Sequence, residues 1–376
     1  VDLNTVHLMN IDRVVNKAIE QNEIPGAVIA IVKDGKIGYL KSFGNKQTYP
    51  SIEPMDVHTI FDMASCTKPL ATAISTFILL EQGALRLIDP VEYYLPEFKG
   101  FENDSIKKSI RIIDLLTHTS GLPAYAPVST LSSEQGNNKD ILQDYINTCK
   151  RNTPPHTAMQ YSCLNYMTVQ YTIEKISGVN LHEFTQKNIY QPLKLAHTTF
   201  IPNQELKKLC APTEVQLDGT LLQGDVHDPL ARIMNKGISG NAGLFSTAED
   251  VAVLANLFLN KGQSNGVHIL SPSSIEKMSQ LPIGFEQFGR TPGWDMNSPY
   301  SSSNGDLFST ATFGHTGYTG TSVTIDPTHN TALIILTNSV HPYDKGKTVR
   351  LRSLLANIVA SSIGTVNIDN YLNHYA

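Results

Sequence analysis

Ser65 and Lys68 stand three residues apart in "DMASCTK", residues 62–68, where a polar stretch gives way to the apolar run "LATAISTFILLEQG" at 70–83. On a helix, positions i and i+3 share a face, so the amine lies one turn from the hydroxyl. A hydroxyl is a poor nucleophile until a base takes its proton, and a lysine among apolar neighbours either finds partners or loses its charge. A serine at the start of a helix also has its amide at the positive end, where an oxyanion is stabilised. The same serine reads equally well as an ordinary helix N-cap. Spacing alone does not choose between them. Ser105–Lys108 repeats it in a polar, charged stretch, and Ser274–Lys277 repeats it at what reads as the capped start of a surface helix.

The elements around this pair are legible from periodicity. Ile11, Val14, Val15, Ala18 and Ile19 form one face of a helix over 9–22. "GAVIAIVKDGKIGYLKSFG" reads as two strands joined at Asp34-Gly35, the strongest short hairpin signal. A buried helix over 70–82 is stopped by Gly83, and helical pieces with long polar loops fill residues 100–235. "KDILQDYINTCK" and "LNYMTVQYTIEKISG" are the clearest of these helices. "STAEDVAVLANLFLNKG", 246–262, is a capped helix; "GTSVTIDP" and "TALIILTNS" return to strands, and a last helix follows over 346–362. The economical α/β (α+β) architecture is an antiparallel sheet built from both ends, flanked by helices, with an all-α insertion. The expected division is 1–65 plus 240–376 for the α/β domain and 66–239 for the mainly helical insert, which puts Ser65 on the seam.

Composition narrows the function classes. The chain has 376 residues, 41% of them hydrophobic, a formal net charge of −5 and 17% charged residues. That supports a large core and excludes a nucleic-acid footprint: Lys107-Lys108 and Lys207-Lys208 are isolated surface pairs. No apolar run approaches the roughly 18 residues of a membrane span. Cys66, Cys149, Cys163 and Cys210 show neither disulfide-scaffold nor metal-ligand spacing, so no metal or other cofactor is expected. Asp225, His227 and Asp228 read as a loop-ordering hydrogen-bond group rather than a metal site, and Trp294 as either cleft wall or core. No signal peptide is visible, but the chain starts at Val1, so both a cytoplasmic location and export after processing stay open. Oligomeric state is not written in the sequence.

Two more segments turn the local ambiguity into a pattern. "QYSCLNY" places Tyr161 before a helix, and "FGHTGYTG" places His315-Thr316-Gly317 before a strand. In this order, Ser65-x-x-Lys68, Tyr161-Ser162 and His315-Thr316-Gly317 resemble the three motifs of the penicillin-recognising serine hydrolases. These include class C β-lactamases, low-molecular-weight penicillin-binding proteins and related esterases. "LLTHTSGLP", "GNAGLFSTAEDVA" and "FGHTGYTGTSVTIDP" extend the likeness, and "VHDPLA" and "GWD" are similar to penicillin-binding-protein 4B-like members. The resemblance spans residues 11–362.

The resemblance implies a β-lactamase-like fold and acyl transfer through a covalent serine ester. Ser65 is then the nucleophile, Lys68 and Tyr161 share its proton, and Tyr161 protonates the leaving group. The backbone N–H groups of Ser65 and Tyr318 form the oxyanion hole, and His315, Thr316, Gly317, Cys163 and Asn241 border the substrate. His118 would fasten the loop in which it sits. Two departures shape the expectation. His315 replaces the lysine of many relatives and, with a reference pKa of about 6.5, is mostly neutral at pH 7. Cys163 replaces the asparagine of Tyr-x-Asn, and a thiol is a weak donor; Asn165, two residues on, points elsewhere on the helix. The implied activity is esterase or D-alanyl-D-alanine carboxypeptidase-like, on a small-molecule or short-peptide acyl substrate. The alternatives are a true β-lactamase, or a penicillin-binding or sensor protein with little turnover.

Overall fold

The apolar run at 26–33 forms a strand, β1 (Gly26–Lys33), with every residue buried. Its side chains serve two cores in alternation: Val28, Ala30 and Val32 face one, and Ala27, Ile29 and Ile31 face the other. The computed structural model describes residues 2–301, 304–346 and 348–364. Asp34 and Gly35, at φ 52° and 76°, turn the chain into β2 (Lys36–Gln47), and β3 is Glu53–Pro54. The C-terminal part supplies β4 (Phe313–Thr316), β5 (Ser322–Asp326) and β6 (Thr331–Leu336). Among the described residues these make a six-stranded sheet in the order β4-β5-β6-β1-β2-β3. Neighbouring strands pair antiparallel, with Val28 opposite Leu336 where the two ends of the chain meet.

Helices cover both faces. Helix α1 (Thr5–Glu20) packs with the final helix on the Ala27–Ile29–Ile31 face, joined there by Leu333 and Ile335. The Asn4 side chain accepts from the amides of Val6 and His7, so α1 begins earlier than the apolar periodicity suggests. The chain after the nucleophile candidate is not one α-helix. A 3₁₀ turn at Ala64–Cys66 leads into π-helical turns at Lys68–Ala73 and then α2 (Ile74–Glu81). Pro69, at the start of the wide turns, has no N–H to commit to an α-helical ladder. The helix α3 (Cys163–Ser177) follows Tyr161, and α4 (Ala248–Leu259) lies against β1, β5 and β6. The last helix, α5 (Thr348–Ser361), lies within the expected 346–362, of which position 347 is outside the described residues.

Both ends thus contribute the sheet, and the segment between contributes α2, α3 and the smaller helices. One apolar core runs from Val28 and Ala30 through Phe77 into Tyr166, Ile173 and Tyr190 without a break at that seam. The stretch beyond 364, part of the expected α/β division, lies outside the described residues.

Candidate active site

A short pairing of Phe61–Asp62 with Phe245–Ser246 delivers the chain to Ser65. The Met63 amide donates to the Leu244 carbonyl at 2.8 Å. Ala64 then takes φ +44°, a left-handed conformation that costs a non-glycine residue energy and needs support. Asp62 gives that support: its buried carboxylate accepts from the Ala64 amide at 2.9 Å and the His227 amide at 2.7 Å. Burial pushes the Asp62 carboxyl up, and the two donors only partly oppose this.

Ser65 is no helix cap. Its Oγ accepts a hydrogen bond from Lys68 Nζ at 3.0 Å, and Nζ also donates to the Asn241 carbonyl at 2.9 Å. Lys68 is fully buried. Burial works against its charge, but the Tyr161 oxygen, which attracts the ammonium once it loses its own proton, outweighs that effect with Cys163 and Asp228 adding to it, and holds the pKa above its usual value.

Tyr161 is fixed from several sides. The next residue, Ser162, caps α3 by accepting from the Leu164 amide at 3.2 Å, and itself donates to the Pro123 carbonyl. The Tyr161 ring lies between His118, at 4.4 Å centroid separation, and Tyr300, stacked at 4.5 Å and 9°. Lys68 Nζ is 4.9 Å from the ring centroid and the Arg290 guanidinium carbon 5.1 Å. Burial raises the phenol pKa; Lys68 and Arg290 pull it back without reversing the direction. The resting pair is therefore ammonium and phenol, one proton above the state that can accept a proton from Ser65.

The third segment closes the cleft. Thr319 Oγ donates to the Asp62 carbonyl at 2.8 Å and Thr321 Oγ to the Met63 carbonyl at 3.0 Å, bolting the loop after β4 to the chain that carries Ser65. The approach is so close that a Cβ on Gly317 would stand 2.6 Å from the Met63 carbonyl oxygen and 2.2 Å from Thr321 Oγ. Arg352 of α5 donates from Nη2 to the Gly317 and Thr321 carbonyls, each at 3.1 Å. Ser65 and Tyr318 line the same cleft of about 850 Å³. The Tyr318 side chain turns outward, its hydroxyl on Asp344 at 2.6 Å.

His315 is buried, and Nδ1 donates to the Thr316 carbonyl at 3.0 Å, leaving Nε2 as a bare nitrogen without a partner among the described residues. Burial, with Arg290 and Lys68 nearby, holds its pKa well below the usual histidine range. Thr316 lines the cleft beside it. Cys163, the first residue of α3, is half-buried and also lines the cleft; burial pushes its thiol up, so it stays protonated. Asn241 is fully buried, with its carbonyl on Lys68 and its Oδ1 accepting from Ser239. Asn165 points away from the cleft: its Oδ1 accepts from Ser120, and its amide donates to His118 Nδ1 at 3.0 Å. Asp225 pairs with Lys207 and His227 with Glu214, while Asp228 accepts from Tyr125. Trp294 is fully buried against Phe258 and Phe313, so it belongs to the core.

Sequence reading missed five contributors: Asp62, Arg290 and its partner Asp295, Tyr300 and Arg352. Asp62 precedes the motif by three positions and carries no signal of its own. Arg290 had one faint signal, the single positive charge in the stretch "FGRTPGWD". Tyr300 and Arg352 sit in a loop and on a helix whose approach to the cleft is a tertiary matter.

Comparison with known proteins gives the family and the fold. The family model described as Beta-lactamase matches residues 11–357. Over 371 residues the chain is 33% identical to the "N-acetylmuramyl-L-alanine amidase" of Bacillus subtilis (strain 168), covering 90% of this chain and 82% of that protein. It is 30% identical over 368 residues to the "Putative D-alanyl-D-alanine carboxypeptidase" of Escherichia coli (strain K12), covering 90% and 83%. Among solved structures, "EstCE1, a hydrolase with promiscuous acyltransferase activity" superposes with a TM-score of 0.76 at 21% identity, over 94% of this chain and 98% of that one.

Proposed function

The chain belongs to the Beta-lactamase family and is a serine hydrolase, and on that premise we propose that Ser65 is its nucleophile and a short-peptide amide or an ester its substrate. The observation that carries this is the contact between the buried Lys68 Nζ and Ser65 Oγ at 3.0 Å. Once the Lys68–Tyr161 pair has released one proton to solvent, Ser65 Oγ forms a bond to the substrate carbonyl carbon and its proton passes to that pair. Negative charge on the carbonyl oxygen falls to the amides of Ser65 and Tyr318. The scissile bond breaks as Tyr161 returns a proton to the leaving nitrogen or oxygen. Water then repeats the sequence on the serine ester and restores the hydroxyl.

Two residues favour an esterase activity over a true β-lactamase. His315 is a neutral acceptor and donor, not the fixed cation that would seize a carboxylate. Cys163 offers only a weak donor where the family's asparagine would hold an amide carbonyl. The amidase and carboxypeptidase names of the two relatives extend the same proposal to cell-wall-type peptides.

The test is a substrate panel run on wild type and Ser65→Ala: short-chain p-nitrophenyl esters, a D-Ala-D-Ala peptide and a chromogenic cephalosporin. Ester or peptide turnover abolished by Ser65→Ala supports the proposal; turnover that survives the substitution sinks it. Cys163 also favours a second reading, a penicillin-binding protein with little turnover. A stable penicillin adduct on Ser65 by mass spectrometry, without turnover of ester or peptide, would establish that instead.

A further inference from the structure

We propose that Arg290 is a positioning residue for Tyr161, supplying beside the phenol the positive charge that the third motif, with histidine in place of lysine, does not provide. This rests on the proposal that Tyr161 serves Ser65.

The geometry is built for that purpose. Arg290 is almost fully buried, and its guanidinium carbon lies 5.1 Å from the Tyr161 ring centroid. Asp295 holds one end through Nη2 at 2.6 Å, while Nε has no partner among the described residues. The loop that carries the pair is pinned at two points. Asp295 exchanges backbone hydrogen bonds with Gly314, both at 2.9 Å, which ties it to the residue before His315. Trp294, packed against Phe258 and Phe313, anchors the same loop in the core. Burying an arginine costs energy that a single ion pair recovers incompletely, so the placement asks for a use beyond stability.

The other groups around Tyr161 leave that use open. Lys68 reaches it from the π-helical turns and, among the described residues, carries the one other positive charge in contact with the ring. From the loop after residues 112–116, His118 is held neutral by burial, with Arg290 and Lys68 adding to the effect. His315, on β4, is held neutral in the same way. On α3, Cys163 and Tyr166 are both pushed up by burial and stay uncharged. Tyr300 contributes a stacked ring. Asp228 acts from across the cleft on Lys68 and Cys163. Of the Arg290–Asp295 pair, it is the guanidinium that the phenol feels most strongly. A neighbouring cation favours phenolate, so Arg290 lowers the pH at which the Lys68–Tyr161 pair sheds the proton it must lose before accepting that of Ser65.

The experiment is the pH profile of p-nitrophenyl acetate hydrolysis, a substrate without a carboxylate for arginine to bind. The variants are Arg290→Gln, Arg290→Lys, the pair Arg290→Gln/Asp295→Asn, and Tyr161→Phe. The double variant leaves no unpaired buried carboxylate, so it keeps the test valid if Arg290→Gln alone folds poorly. Arg290→Gln and the double variant are expected to move the acid limb of kcat/KM up by about one pH unit, the lower end of a single-charge effect at this range. At pH 7 they lose about tenfold in kcat, with KM little changed, and recover toward wild type as pH rises. Arg290→Lys keeps the wild-type limb. An unmoved limb in both glutamine variants, or a pH-independent loss shared by Arg290→Lys, overturns the proposal. Wild-type activity in Tyr161→Phe instead overturns the role of Tyr161, a failure read separately from that of Arg290.

Discussion

Lys68 Nζ lies 3.0 Å from Ser65 Oγ and 2.9 Å from the Asn241 carbonyl, so a fully buried amine is held between the nucleophile candidate and the backbone of a distant segment. Its contacts are suited to passing protons and poorly suited to stabilising the fold. Lys68→Met keeps most of the side chain's length and removes the charge. Ester turnover is expected to fall by roughly 10²–10⁴-fold, the usual share of a general acid–base group. The melting temperature is expected to hold or rise, because a buried charge gives way to an apolar chain. Steady-state kinetics and a thermal melt on the same sample check both halves.

Gly317→Ala tests the close approach of the loop after β4 to the chain at Ser65. The new methyl would meet the Met63 carbonyl at 2.6 Å and Thr321 Oγ at 2.2 Å. Backbone must shift to admit it, at a cost of about 1–3 kcal/mol. Because the shift separates Tyr318 from Ser65, kcat is expected to fall further than the melting temperature alone suggests. A normal kcat in a destabilised protein would show that this loop does not shape the reacting site.

Cys163→Asn restores the carboxamide that the family's second motif carries. Acylation by penicillin is expected to rise by about tenfold, the value of roughly one added hydrogen bond near 1.4 kcal/mol. Turnover of a small ester, with no amide carbonyl to hold, is expected to change much less. Comparing the rate of adduct formation by mass spectrometry with p-nitrophenyl acetate hydrolysis separates the two.

His118 and His315 are buried and neutral, with pKa values well below the usual histidine range because of burial and the nearby cations. The unfolded chain binds a proton on each below about pH 6.5, and the folded chain does not. Stability is therefore undiminished above that pH and falls as pH drops below it, by up to about 1.4 kcal/mol per pH unit for each histidine. Urea denaturation at several pH values between 5 and 7.5 should show this slope. His118→Gln is expected to flatten it even if the variant is less stable throughout, and an unchanged slope would exclude His118 as a source.

Much of the fold was legible because it rests on local rules. The apolar run of β1 and the strand that follows it, with Asp34-Gly35 between them, specify a hairpin, and the capped apolar run at 248–259 specifies a helix. The helix expected over 70–82 was placed correctly in the core but not in its winding. Thr319 and Thr321 hold the chain that enters the 3₁₀ turn, and the Gly240 and Asn241 carbonyls accept from Thr72 and Lys68 of the π-helical turns; no local rule connects these partners.

The sequence by itself determined the chemical groups and their order: a serine and a lysine three residues apart, a tyrosine before a helix, and a histidine, threonine and glycine before a strand. Helical spacing is a local constraint, so it could bring Ser65 and Lys68 to one side of the chain. Only the tertiary structure decided that Lys68 would be buried against the Asn241 carbonyl, that Tyr161 would lie between His118 and Tyr300, and that Arg290 would come within 5.1 Å of its ring. The charge states of these groups follow from burial and from neighbours that are distant along the chain. Both are properties of packing, and no local pattern of residues encodes them.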